Sequence, residues 1–114
     1  MNANITSLLK TLSDPTRLRI LMLLTKGELC VCNITEVLIL PQSTVSRQIA
    51  RLKLFGLVTD RRQGKWIYYK LKILRTKSMN LIFELLLTES DNKPFSNDLQ
   101  KLENHKKCNF VTGL

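Results

Sequence analysis

Residues 33–55, NITEVLILPQSTVSRQIARLKLF, decide the fold. Asn33 is placed to cap a short helix over residues 34–40, and Pro41 forces a break because the residue before a proline is pushed out of the helical region. Ser43 then caps a longer helix over residues 44–55. At about 100° per residue, Val45, Ile49 and Leu52 fall within about 60° of one another, while Ser43, Arg47, Ala50 and Arg51 take the opposite side. One face packs; the other is short, polar and basic. Two helices joined by a tight turn, the second presenting Ser and Arg, form the helix-turn-helix layout whose second helix enters the DNA major groove.

Upstream, Ile5, Leu8, Leu9 and Leu12 share one face of a short helix. Asp14 caps the next helix with Pro15 at its first position, Leu18, Leu21, Met22 and Leu24 supply its buried face, and Gly27 ends it. Downstream, Gly56 ends the reading helix. Residues 57–62 and 65–71 around Gln63-Gly64 then read as a β-hairpin, with Trp66, Tyr68 and Tyr69 favouring strand. A hairpin there is a wing, and Arg61, Arg62 and Lys65 at its tip reach backbone phosphates or the adjacent minor groove.

Residues 73–87 predict a further helix carrying more apolar surface than so small a domain buries alone, so it is expected to pair with its symmetry mate. The dimerisation residues expected are Ile5, Leu8, Leu9 and Leu12 on the first helix, with Leu74, Leu81, Ile82 and Leu85 on this one. A two-fold dimer places two reading helices one turn of DNA apart on a palindromic site. The fold class is therefore mainly α with a small β-hairpin, a dimeric winged helix-turn-helix. Residues 1–90 form its DNA-binding and dimerisation domain. Residues 91–114 read as a polar tail, a short helix or disordered, with only Leu99 and Leu102 as anchors.

Charge agrees with a DNA partner. The 114 residues carry a net charge of +9. All of that excess lies in residues 41–77, which hold ten Lys or Arg against Asp60 alone. Arg47 is the candidate base contact, because its planar fork matches guanine O6 and N7. Gln42, Ser43, Thr44 and Ser46 lie near the helix start, within reach of bases or phosphates. Arg51 shares their face, as a contact or as a solvated residue.

Three cysteines, Cys30, Cys32 and Cys108, are an odd number in a sequence whose start lacks a secretory pattern, so reduced thiols and a cytoplasmic location are expected. No apolar run approaches the roughly 20 residues that cross a bilayer, so no membrane partner is expected. An enzyme is not expected, because His105 is the only histidine and no thioredoxin-like βαβ pattern surrounds the thiols.

With these elements placed, three stretches resemble the ArsR/SmtB family of winged-helix metalloregulatory repressors. They are residues 12–21 (LSDPTRLRIL), 27–34 (GELCVCNI) and 56–71 (GLVTDRRQGKWIYYKL). The resemblance implies a dimeric repressor of operator DNA, without a catalytic cofactor, that leaves DNA on binding a toxic soft metal or metalloid. Cys30-Val31-Cys32 resembles the arsenite/antimonite-responsive branch, with As(III) or Sb(III) as effector. The third cysteine often found three residues after the second is Thr35 here, and the N-terminal cysteines of cadmium and lead responders are missing. Zinc responders carry histidines on the last helix, and residues 73–87 contain none.

Soft thiolates select soft ions, so Cys30 and Cys32 suit a trivalent metalloid. Residues two apart point to the same side in an extended segment and diverge by about 200° in a helix. Coordination is therefore expected to favour a non-helical Cys30–Cys32. Asn33 as a cap puts Cys32 at the positive end of a helix, which lowers a thiol pKa. Cys108 either folds back as a third ligand, binds together with His105, or is a tail residue without an effector role. A thiol-based redox or reactive-sulfur sensor, and a cadmium or lead responder, are the alternatives on the same fold.

Overall fold

The computed structural model describes residues 5–72 and 77–113, with side chains as far as Asn104. In chain order the elements are α1 (Ile5–Leu12), α2 (Pro15–Leu24), β1 (Leu29–Cys30), α3 (Val31–Leu38), α4 (Gln42–Leu54), β2 (Val58–Gln63), β3 (Trp66–Leu71), α5 (Lys77–Thr88) and α6 (Phe95–Gly113). This is a winged helix-turn-helix with α3 and α4 as its helix pair.

Asp14 starts α2 as the sequence requires, its Oδ1 accepting from the Thr16 and Arg17 amides at 2.7 and 3.2 Å, with Pro15 in the first turn. The buried face of α2 is wider than one stripe. Ile20, Leu21, Met22, Leu23 and Leu24 are all buried, because α1, α3, α4, α6 and β3 surround the helix. The second half of the helix, residues 20–24, is apolar all round. From α4, Val45, Ile49 and Leu52 enter this core as their spacing predicts.

The turn between α3 and α4 differs from a proline break alone. Ile39 closes α3 in the left-handed region, at φ 56°, and its side chain is 73% exposed. The α4 helix starts at Gln42 after Pro41 and has no side-chain cap, so Ser43 is a first-turn residue rather than the cap.

The hairpin acquires a third strand. β1, β3 and β2 lie side by side and antiparallel, with Arg61 opposite Tyr68 and Cys30 opposite Tyr68 on the other edge. Gly64, at φ +63°, turns the two-residue loop.

After residue 90 the helical alternative holds, though α6 (Phe95–Gly113) is longer than a short helix. α6 packs against α2 and α3. Leu102 is buried, Leu99 and Phe95 lean on the same core, and Arg19 of α2 grips buried Asp98 through two bonds of 2.8 and 2.9 Å. A polar helix thus docks through one charge-assisted fork plus a few apolar anchors.

Of the residues expected to dimerise, Leu8 is buried within the protomer, and Leu12 and Ile82 pack on its core. They lie on the helix faces turned inward. Ile5, Leu9, Leu81 and Leu85 remain 57–62% exposed, joined by Phe83 and Leu87. Leu74 lies outside the described residues. Beneath α5 is a largely apolar pocket of about 260 Å³ lined in part by Leu21, Leu57, Leu71 and Phe83. No helix among the described residues is long and apolar enough to cross a membrane.

Candidate thiol site and nucleic-acid interface

Cys30 ends β1 and is itself the cap of α3. Its backbone is extended at φ −76° and ψ 150°, and its Sγ accepts from the Cys32 amide at 3.5 Å. The helix therefore begins at Val31, not after Asn33. This geometry answers the question of helical divergence: one residue extended and the next helical turns the first side chain back over the first turn, as a Ser or Asp cap does. Cys32 Sγ donates to Cys30 Sγ at 2.9 Å. The sulfurs converge with the helix start intact, so the two thiols share a side without an unwound segment.

The two thiols differ in access. Cys30 is fully buried and Cys32 half-buried, so Cys32 is the side from which solvent reaches the pair. Burial pushes the Cys32 thiol up to about 12, helped by its donated hydrogen bond to Cys30 and by the charge Cys30 would carry; the Asn33 amide acts the other way. The expected lowering at a helix N-terminus is present in that amide but loses to desolvation. Asn33, displaced from the cap position, is buried, and its Oδ1 has no hydrogen-bond partner among the described residues. Thr35, standing where a third cysteine is often found, donates to the Cys32 carbonyl at 2.8 Å.

No further ligand joins the pair among the described residues, where no cluster of three or more His, Cys, Asp or Glu side chains forms. Cys108 falls within α6, and its side chain, like that of His105, lies outside the described residues.

On α4, Gln42, Ser43, Ser46, Arg47, Ala50 and Arg51 are exposed along one side, with Thr44 at its margin. On the wing, Arg62 and Lys65 are exposed at the tip, and Lys65 Nζ stands 5.8 Å above the Trp66 ring. Arg61 is exposed but engaged, gripping Glu28 with two bonds of 2.8 Å. Lys53 joins the end of α4 to β2 through Asp60 at 2.7 Å.

Sequence reading missed Arg17. Its Nε donates to the Thr11 carbonyl at 2.6 Å and its Nη1 to Gln48 Oε1 at 2.7 Å, so one side chain links the end of α1 to the flank of α4. The only signal was its place in the DPTR run.

A family model described as bacterial regulatory protein, arsR family, matches residues 14–60. The arsenical resistance operon repressor of Escherichia coli is 49% identical over 65 residues, 56% of this chain and 56% of that one. This chain spans about half the length of three arsenic-resistance relatives it matches, 49% to 56%. Among solved structures, the transcriptional repressor BigR of Xylella fastidiosa aligns with a TM-score of 0.66 at 32% identity, over 78% of this chain and 86% of that one. A homodimeric winged helix-turn-helix domain from Mycobacterium bovis aligns with a TM-score of 0.59 at 27% identity, over 82% and 92%.

Proposed function

The chain belongs to the arsR family of bacterial regulatory proteins, and on that premise we propose an arsenite- or antimonite-responsive repressor that binds double-stranded operator DNA as a homodimer in the cytoplasm. The observation that carries the reading is the 2.9 Å approach of Cys30 and Cys32 at the head of α3, the helix that packs on α4. Two converging thiols, one reachable from solvent, fit a thiophilic centre. A bound metalloid supplies bonds to sulfur in place of the thiol protons.

The chain's own residues do the rest. Cys30, held in β1, and Cys32, in the first turn of α3, join the effector site to the wing sheet and to the helix pair. Movement of that turn shifts α4. A coupling of about 1–3 kcal/mol per site is usual for such linkage, and DNA then weakens effector binding by the same factor. Cys108, carried on a helix that packs against α3, is the candidate third ligand.

For DNA, Arg47 reads a guanine, Gln42, Ser43, Thr44 and Ser46 serve bases or phosphates near the helix start, and Arg51, Arg62 and Lys65 hold the backbone. Ile5, Leu9, Leu81 and Leu85, exposed in the protomer, cover one another in the dimer, as the homodimeric relative supports.

The same sulfur approach favours a second reading, a redox sensor in which an oxidant removes two electrons and two protons to join Cys30 to Cys32. Gel-shift titrations of wild-type protein and Cys108→Ser decide between them. Under full reduction, low arsenite is expected to release the operator, with Cys108→Ser needing more. Release by oxidant alone would establish the redox reading, and release by cadmium or lead but not arsenite would reassign the effector.

A further inference from the structure

We propose that Arg61 and Glu28 form a tie that carries movement of the thiol segment into the wing, with Arg61 a positioning residue rather than a DNA contact. The inference rests on the effector reading of Cys30 and Cys32 and names the route by which that site reaches the wing.

Arg61 has two of its five N–H donors left for a phosphate. Its Nε and Nη2 donate to the two Glu28 carboxylate oxygens at 2.8 Å each, and its Nη1 donates to Gln63 Oε1 at 2.6 Å. Its guanidinium carbon stands 4.8 Å from the centre of the Tyr68 ring. Three nitrogens and one face of the group are thus engaged within the protein. Arg62 and Lys65, by contrast, make no ion pair with a described residue.

The pair joins two places that the switch must connect. Glu28 lies two residues before Cys30, and Tyr68, under the Arg61 guanidinium, is the register partner of both Cys30 and Arg61. A shift of β1 at Cys30 therefore reaches β2 through the β3 ladder and through the side-chain fork together. A bidentate guanidinium–carboxylate pair fixes orientation as well as distance. Half-exposed as it is, the pair contributes little to stability, so its variants keep the fold.

The test uses full-length protein and one operator, with and without arsenite, for wild type, Glu28→Gln, Arg61→Gln, the double variant and Lys65→Gln. Without arsenite, Arg61→Gln is expected to keep the wild-type salt slope, whereas Lys65→Gln lowers it by about one. The factor by which arsenite raises the operator Kd is expected to fall roughly 2- to 5-fold in each single tie variant and no further in the double. Arsenite uptake, counted as thiols protected from alkylation, stays at the wild-type value. A salt slope lowered by about one in Arg61→Gln, an unchanged arsenite factor in either single variant, or losses that multiply in the double would overturn the tie. If wild-type operator binding ignores arsenite, the effector reading falls and takes the coupling role with it. The salt slopes then still decide whether Arg61 touches phosphate.

Discussion

Cys32 is a neutral thiol at physiological pH, because burial and its donated bond to Cys30 hold its pKa at about 12 against an ordinary 9.0. Its alkylation rate should therefore keep rising about tenfold per pH unit through pH 9 and 10, where an unperturbed thiol levels off. Cys30→Ser should move the profile down only part of the way, since burial is the larger cause. A plateau near pH 9 in the wild type would contradict the packing described. The folded state holds this proton more tightly than the unfolded chain, so its contribution to stability is complete below about pH 9 and lost as pH rises towards 12. At this scale the sequence marked the two thiols that the fold brings together but not their posture. Asn33 and Ser43 are better cap formers than Cys30 and Pro41, yet the pairing of Leu29–Cys30 with β3 fixes where α3 begins. Local capping preference is worth about 1 kcal/mol and yields to such a ladder.

Among the elements, the helix-turn-helix corner stores strain at Ile39, a β-branched residue at positive φ. Its side chain is mostly exposed, so Ile39→Gly loses little burial and should stabilise the protein by about 1 kcal/mol. Urea denaturation without DNA checks this through a higher midpoint at unchanged slope; an unchanged or lower midpoint would show that Ile39 is not strained. The helix pair, the wing and α2 were legible because their signals are local: Pro41, the 3.6-residue spacing of Val45, Ile49 and Leu52, Gln63-Gly64, and Asp14-Pro15. β1 was not, and α6 was legible only as one of two alternatives. β1 is two residues long, too short for any alternation to register. α6 is held by Arg19 to Asp98, a pair 79 residues apart, which periodicity within a window does not reveal.

At the scale of the whole molecule, the basic face of α4 and the outward leucines fit the proposed dimer on DNA. Leu81→Glu with Leu85→Glu should give a monomer at micromolar concentration and cost most of the operator affinity, because each half-site then binds alone. Analytical ultracentrifugation reads the first effect, and a variant that still sediments as a dimer would place the interface elsewhere. We propose that sulfur at positions 30 and 32 controls DNA binding, and the operator Kd with and without arsenite, under reducing conditions, for the wild type and the Cys30→Ser, Cys32→Ser variant checks this. Arsenite should weaken operator binding at least about fivefold in the wild type and not at all in the variant, with equal affinities in its absence. Release of the variant by arsenite at the wild-type concentration would contradict it.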